Sequence, residues 1–330
     1  MSVNRVVRKI TTKPVWWWER RRSYPIRSLY DRLPPLFVRH GGRRFVVLTT
    51  PETLSDALWA AWSWYRFLRD EDCTLHISVD GTVSEAAIAA ASRLFPGVSI
   101  DSAQWACQYV RARMPGLQTF FDNHPTGRKL ALILALSDRG PIVYSDYDVL
   151  AFSRPHELLA AMDRNVPCYF LEEVDGTRDA QIAERAKQLG LNYIPKFNCG
   201  FMHIPQGALS IGLAGQILAT WRAPGESWFA EQTVLSFMLQ QLHAEALPPS
   251  RYVISVCRQF YWEKDVDYAA ITARHFTTPV RHVMYKYGMP ILLKQIADYR
   301  CGTCEGQQSP HENTPGNQEE VITSKDHGHE

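Results

Sequence analysis

The residues best suited to do chemistry lie in the segment GPIVYSDYDVLAF, where Asp146 and Asp148 are two positions apart. On extended backbone both side chains point to one side, and the apolar run before them predicts a buried strand. Paired carboxylates at such a strand end suit a hard divalent cation, Mg²⁺ or Mn²⁺, which can neutralise a diphosphate. The same spacing recurs at Asp70–Asp72 and Asp265–Asp267, and roughly one such pair is expected by chance. The position after a strand, rather than the spacing, therefore singles out the first pair.

The elements that must position these carboxylates alternate between strand and helix. Apolar and β-branched runs predict strands at 45–50, 74–81, 97–101, 141–146 and 167–173. Helical spacing of apolar residues predicts helices at 53–68, 83–95 and 126–140. This alternation predicts an α/β fold with a mostly parallel sheet flanked by helices, in which ligands bind beyond the carboxyl ends of the strands. Thr49 and Asp80 end two other strands, so we expect them near the acidic pair.

Four segments in this order resemble one enzyme family. They are YSDYDVLAF around the acidic pair, FNCGFMHIP (197–205), WFAEQTVLSFML (228–239) and ITARHFTTPVR (271–281). Together they resemble GT-A glycosyltransferases and, more narrowly, the retaining bacterial galactosyl- and glucosyltransferases related to glycogenin. The resemblance covers about 45–281 and implies a GT-A type fold, with a nucleotide-binding sheet and a mixed subsheet on the acceptor side.

The resemblance implies a metal site and a phosphate-binding residue. Asp148 and His275 would bind Mn²⁺ or Mg²⁺ directly, and Asp146 would share the metal and touch the donor ribose. Arg281 stands where the family has a phosphate-binding lysine, whereas Thr278 replaces the family's glycine. Without the resemblance, the acidic pair also fits a solvated turn, and the histidine also fits a purely structural role.

Further roles follow from the resemblance around the donor. Lys129 would be the basic residue near the donor, in the helix before the acidic strand, with a solvated helix face as the alternative. By analogy of fold, Thr49 and Asp80 could hold the nucleobase and the ribose. Asn198 and Gly200 would line the acceptor side, where Gly200 would allow close approach of the backbone; a strand bulge is an equal alternative for this glycine.

The resemblance also implies residues at the reacting carbon. Gln232 would lie near the anomeric carbon, and Glu231 could act as a nucleophile, or as a base if the enzyme inverts. Thr233 stands where the family has an aspartate. The alternative interpretation is that this pair only begins a helix, where the helix dipole favours Glu231.

The function that the resemblance implies is metal-dependent transfer of a sugar, expected to be a hexose, from a nucleoside-diphosphate sugar to an acceptor hydroxyl with retention. The acceptor would be a glycan, a lipid-linked group or a protein, and no nucleic-acid partner is expected. A sugar-phosphate nucleotidyltransferase is an alternative, but TTPETLSDALW contains no glycine after the first strand. A catalytically silent binding domain on the same fold is the other alternative.

The two ends of the chain differ in composition from the predicted domain at 45–300. Residues 1–44 contain 12 Lys and Arg but only two acidic residues, and they include Trp16–Trp18. This arm could dock on an anionic membrane surface, or its tryptophans could pack on the domain, which we favour because no helical apolar face is evident. The polar segment 301–330 predicts a disordered tail. Seven scattered cysteines, and no secretory signal in MSVNRVVRKITTK, favour the cytoplasm.

Overall fold

The computed structural model describes residues 21, 23–172, 178–219, 221, 229–254, 266–277 and 280–305, with only the backbone described from 298 onward. Within these ranges the strands are β1 Arg43–Thr49, β2 Cys73–Val79, β3 Ser99–Ser102, β4 Ile142–Asp146, β5 Val149–Ala151, β6 Cys168–Leu171, β7 Phe197–Ile204, β8 Glu245–Ala246, β9 Tyr252–Val253 and β10 Ala273–His275.

Helices alternate with these strands over most of the chain. They are α1 Leu54–Leu68, α2 Glu85–Leu94, α3 Gln104–Arg113, α4 Gln118–Asn123, α5 Gly127–Arg139, α6 His156–Asp163, α7 Ala180–Gln188, α8 Ile211–Leu218, α9 Ala230–Gln240, α10 Arg281–Val283 and α11 Met289–Glu305. A π-helical turn, Met284–Gly288, joins the last two, and 3₁₀ turns form at Tyr24–Arg32, Pro51–Thr53 and Pro115–Leu117. The eight elements predicted from the sequence are present, and their ends differ from the prediction by at most two residues.

The strands form two sheets, which confirms the predicted α/β architecture. The larger sheet has the order β3-β2-β1-β4-β7-β6-β8, and its first four strands are parallel. Strand β7 is antiparallel to both neighbours. The smaller sheet has the order β5-β10-β9, with β10 antiparallel to β5. Because β1, β2 and β4 are parallel, the residues at their carboxyl ends lie along one edge of the large sheet.

Two hydrophobic layers cover the large sheet. Alternate residues of β1 point to opposite layers, with Phe45 and Val47 on one side and Val46 on the other. Helix α1 supplies much of the first layer, where Trp64 stacks on Phe201 with ring centroids 4.1 Å apart. The Trp64 indole also donates a hydrogen bond to the Val149 carbonyl, at 3.0 Å. The chain just after the acidic pair is thereby tied to the core.

The described part of the N-terminal arm packs on the domain. The Arg27 guanidinium donates a 2.6 Å hydrogen bond to buried Asp56, and the Trp59 indole donates to the Arg27 carbonyl. The docking alternative depends on Trp16–Trp18, which lie outside the described residues. No helix among the described residues is long and apolar enough to cross a membrane. Helix α11 extends to Glu305, and the rest of the predicted tail, 306–330, also lies outside the described residues.

Candidate active site

A cavity of about 470 Å³ opens at the carboxyl edge of β1, β2 and β4. It is lined by every residue to which the sequence assigned a catalytic, donor-binding or metal-binding role, although these residues span more than two thirds of the chain. They are Thr49, Asp80, Lys129, Asp146, Asp148, Asn198, Gly200, Glu231, Gln232, His275 and Arg281. The structure therefore brings the predicted residues together, while their roles stay predictions.

Three predicted metal ligands form one cluster. Asp146, Asp148 and His275 each offer one ligand atom, and these atoms lie within 4.8 Å of one another. The antiparallel pairing of β5 and β10 places His275 opposite Val149, directly after the acidic pair. His275 Nε2 lies 3.2 Å from Asp148 Oδ1. Two carboxylates and an imidazole form an acceptable donor set for Mn²⁺ or Mg²⁺.

The hydrogen bonds behind His275 define which of its nitrogens faces the carboxylate. His275 Nδ1 lies 3.0 Å from Asn198 Oδ1, which also accepts the Gly200 N–H at 2.8 Å. The Asn198 amide nitrogen donates to Glu172, so all its contacts agree on the orientation of the amide. Nδ1–H is therefore the donor, and in a neutral ring Nε2 carries a lone pair facing Asp148. Two such acceptors 3.2 Å apart require a cation or a proton between them, so the site fits a metal ion.

Gly200 allows the histidine to occupy this position. A Cβ atom at position 200 would lie 2.5 Å from His275 Nδ1 and nearer still to its Cε1. Such distances are far inside ordinary van der Waals contact. Asn198 and Gly200, which the sequence assigned to the acceptor side, therefore contact the candidate metal ligand His275.

Arg281 pairs with the same carboxylate from the other side. Its guanidinium donates a 2.6 Å hydrogen bond to Asp148 Oδ2. Burial alone would raise the pKa of Asp148, but the charge of Arg281, together with the contact to His275, outweighs it and holds this pKa well below its usual value. Burial likewise would lower the pKa of Arg281, and Asp148 outweighs it, so the guanidinium stays charged.

Two hydrogen-bonding groups beside this pair have no partner among the described residues. They are Nε of Arg281 and the hydroxyl of Thr277, both buried. Thr277 lines the same cavity. Buried donors without partners are uncommon in folded proteins, and here they suit the oxygens of an anionic ligand. No motif in the sequence distinguishes Thr277, whereas Thr278, at the position of the family's glycine, lies outside the described residues.

A buried lysine binds the other carboxylate. Lys129 Nζ lies 2.9 Å from Asp146 Oδ2 and 3.8 Å from Glu231 Oε1. Tyr144 donates a 2.6 Å hydrogen bond to the other oxygen of Asp146. Burial would lower the pKa of Lys129, but attraction to Asp146 and its neighbours raises it well above the usual value. Lys129 thus remains a cation that links the acidic pair to Glu231.

Glu231 and Gln232 lie in the first turn of α9 and are buried at the cavity wall. The Thr126 hydroxyl donates a 2.6 Å hydrogen bond to Glu231 Oε2, and the Cys199 thiol donates to Glu231 Oε1 at 3.3 Å. Burial raises the pKa of Cys199 well above its usual value, so the thiol keeps its proton. The sequence does not reveal the roles of Thr126 and Cys199, because a threonine before a helix and a cysteine in a strand are both common.

Thr233, which stands at the position of the family's aspartate, forms hydrogen bonds that connect two helices of the domain. Its hydroxyl donates to the Phe229 carbonyl at 2.7 Å and accepts the Asp179 N–H at 2.8 Å. Thr233 is not among the residues that line the cavity. The departure from the family pattern therefore joins α9 to the start of α7.

Thr49 and Asp80, which the sequence predicts to bind the nucleoside, line another part of the cavity. The Thr49 hydroxyl lies 3.0 Å from the Thr53 hydroxyl, in the turn that begins α1. Asp80 forms an ion pair with Arg128, a residue without a predicted role. Thr49 is buried, whereas Asp80 remains partly exposed.

Comparison of the sequence with known protein families and with curated proteins finds no match. Among solved structures, the fold resembles galactosyltransferase LgtC in complex with donor and acceptor sugar analogues. The TM-score is 0.50 at 15% identity, over 78% of this chain and 95% of LgtC. It also resembles the bifunctional glycosyltransferase WbbM, with a TM-score of 0.50 at 12% identity, over 79% of this chain and 52% of WbbM. The predicted architecture is confirmed: the chain has the GT-A glycosyltransferase fold.

Proposed function

We propose that this protein is a metal-dependent glycosyltransferase that moves a sugar from a nucleoside-diphosphate sugar to an acceptor hydroxyl. One observation carries the proposal: the Asp146, Asp148 and His275 cluster lies in one cavity with two buried groups, on Thr277 and Arg281, that have no hydrogen-bond partner in the described part of the chain. A carboxylate–imidazole set next to free donors matches a metal and a diphosphate side by side. The crystallisation of LgtC with donor and acceptor sugar analogues supports the same ligand class.

The residues of the chain divide the work of binding the donor. Asp146, Asp148 and His275 would hold Mn²⁺ or Mg²⁺, which neutralises charge on the departing diphosphate. Arg281 and Thr277 donate hydrogen bonds to phosphate oxygens, and charge-assisted bonds of this kind are about twice as strong as neutral ones. Thr49 and Asp80 form the part of the cavity that would take the nucleoside.

Glu231 and Gln232 act at the sugar. Gln232 Oε1 lies 3.5 Å from the Cys199 N–H, in the wall of the cavity. Its amide oxygen places partial negative charge where an oxocarbenium-like transition state develops positive charge. Glu231 lies 3.8 Å from the Lys129 ammonium and accepts a hydrogen bond from Thr126, which orients it for positioning or attack at the reacting carbon.

The test is donor turnover by the purified protein. With Mn²⁺ and a panel of UDP-, GDP- and dTDP-sugars, we expect release of nucleoside diphosphate from one donor, and faster release once a suitable glycan, lipid-linked or protein acceptor is added. Release of pyrophosphate from a sugar phosphate and a nucleoside triphosphate would instead identify a nucleotidyltransferase. Absence of either reaction with every donor would favour a silent binding domain.

The stereochemistry has its own experiment, since retention rests on the family resemblance. We expect an α-linked product from an α-linked donor, read from the anomeric proton signal by NMR. Gln232→Ala should lower kcat more than it raises KM, because its contact strengthens as charge develops. Glu231→Ala should also react slowly. A β-linked product would overturn retention and make Glu231 the general base.

A further inference from the structure

Each carboxylate of the acidic pair already carries a cationic partner from the chain itself. Lys129 forms an ion pair with Asp146, and Arg281 forms an ion pair with Asp148. The second oxygen of Asp148 faces His275, so both of its oxygens are engaged. A divalent cation that enters this cluster therefore competes with at least one resident cation.

The two resident cations differ in how firmly they are held. The Lys129 side chain is 11% exposed and has a second anion, Glu231, at 3.8 Å. The Arg281 side chain is 24% exposed and, among the residues that the structure describes, has Asp148 as its ion-pair partner and no hydrogen-bond partner for its Nε. Its guanidinium also lies 5.0 Å from the Tyr147 ring centroid. Arg281 is therefore the cation that can change partner at lower cost.

We propose that Arg281 is an exchangeable counter-ion: it neutralises Asp148 before ligands bind and moves to the phosphate oxygens when a divalent cation and a nucleoside diphosphate enter. This inference rests on the proposed function and adds a mechanism for loading the site. The free cation must displace Arg281, whereas the diphosphate offers Arg281 a new anion. Each ligand thereby favours the other, and the coupling is reciprocal.

The proposal makes opposite predictions for two ligands in one variant, Arg281→Gln. Removing the competing cation should tighten binding of Mn²⁺ alone by at least about fivefold, within the usual range of coupling between sites. The same change should weaken binding of the nucleoside diphosphate. Electron paramagnetic resonance of free Mn²⁺ measures the first effect, with UDP, GDP and dTDP as probes of the second and binding of Mn²⁺ to each nucleotide measured separately.

A neighbouring arginine supplies the matched control. Arg128 also lies near the cavity but pairs with Asp80, away from the metal cluster. Arg128→Gln removes the same charge and should change the Mn²⁺ affinity by less than about twofold, since an exposed charge is screened by solvent and salt. Arg281→Lys keeps the positive charge but loses the planar set of hydrogen-bond donors of the guanidinium. The Mn²⁺ affinity of this variant should therefore lie between those of wild type and Arg281→Gln.

Unchanged or weaker Mn²⁺ binding by folded Arg281→Gln would overturn the counter-ion role. Thermal unfolding checks that the variant is folded, and Arg281→Lys provides the second measurement if it is not: Mn²⁺ binding no tighter than wild type in that variant would likewise count against the proposal. The proposed function fails differently. If Arg281→Gln gains Mn²⁺ affinity but no nucleotide sugar is turned over, the exchange stands and the transferase activity does not.

Discussion

Replacing Gly200 by alanine tests how the candidate metal ligand His275 is positioned. The new Cβ would lie 2.5 Å from His275 Nδ1, whereas ordinary contact begins at 3.4 Å. The imidazole would have to retreat by about 1 Å, several times the tolerance of about 0.2 Å for a metal–ligand distance. Because Asn198 Oδ1 would be only 2.9 Å from the same Cβ, the hydrogen bond that orients the ring is disturbed as well.

Two quantities should change in Gly200→Ala. Overpacking of a buried site should lower the free energy of unfolding by about 1–3 kcal/mol, measured by denaturant titration. Displacing the ligand and its orienting partner should weaken Mn²⁺ binding by about 10–100-fold, measured by electron paramagnetic resonance. Gly116→Ala is the matched control, because a Cβ there meets no atom within 4 Å. Wild-type Mn²⁺ affinity in a folded Gly200→Ala protein would refute the proposed position of the histidine ligand.

Two further predictions concern buried ionisable groups. Lys129→Met leaves the charges of Asp146 and Glu231 uncompensated and should lower the free energy of unfolding by about 3–5 kcal/mol. Arg128→Met, at an exposed ion pair, should lower it by less than about 1 kcal/mol. Equal effects of the two substitutions in denaturant titration would contradict the role of Lys129 as a buried cation. Burial lowers the pKa of His203 to about 4 from 6.5. Between pH 6.5 and pH 4 the unfolded chain therefore binds a proton on this histidine that the folded protein does not bind. Through this residue the free energy of unfolding should fall by about 3 kcal/mol as the pH drops from 6.5 to 4. His203→Phe should flatten that part of the stability–pH curve, and an unchanged slope would count against it.

The large parallel part of the fold could be predicted because its signals are local. Runs such as 45–50 and 141–146 are apolar and β-branched, and the helix at 53–68 has regular apolar spacing. The acidic pair could be predicted in the same way, because Asp146 is the last residue of the apolar strand β4. Parallel pairing then brings Thr49 and Asp80 to the same edge without further information.

The contacts that define the electrostatics of the site could not be predicted from the sequence, because they join positions that are far apart along the chain. Asp148 and Arg281 are separated by 133 residues, and Asn198 and His275 by 77. Neither contact follows from local propensity, since one joins the turn between β4 and β5 to α10 and the other joins β7 of the large sheet to β10 of the small sheet. Thr126 has no unusual neighbours in sequence, and only the packing of α9 against α5 reveals its hydrogen bond to Glu231.

The most direct test of metal-dependent transfer at this cavity compares two aspartates that share the same spacing motif. Asp148→Ala removes a candidate ligand, whereas Asp70→Ala changes an aspartate of the D-x-D pair at 70 and 72, half-exposed beside Arg39. Nucleoside-diphosphate release is measured with Mn²⁺ and the donor that wild type accepts. We expect Asp148→Ala to lose about 100-fold or more of its turnover, since a metal contributes several kcal/mol to stabilising the transition state. Asp70→Ala should remain at the wild-type rate. Full turnover by folded Asp148→Ala, or by wild type in excess chelator, would contradict the account.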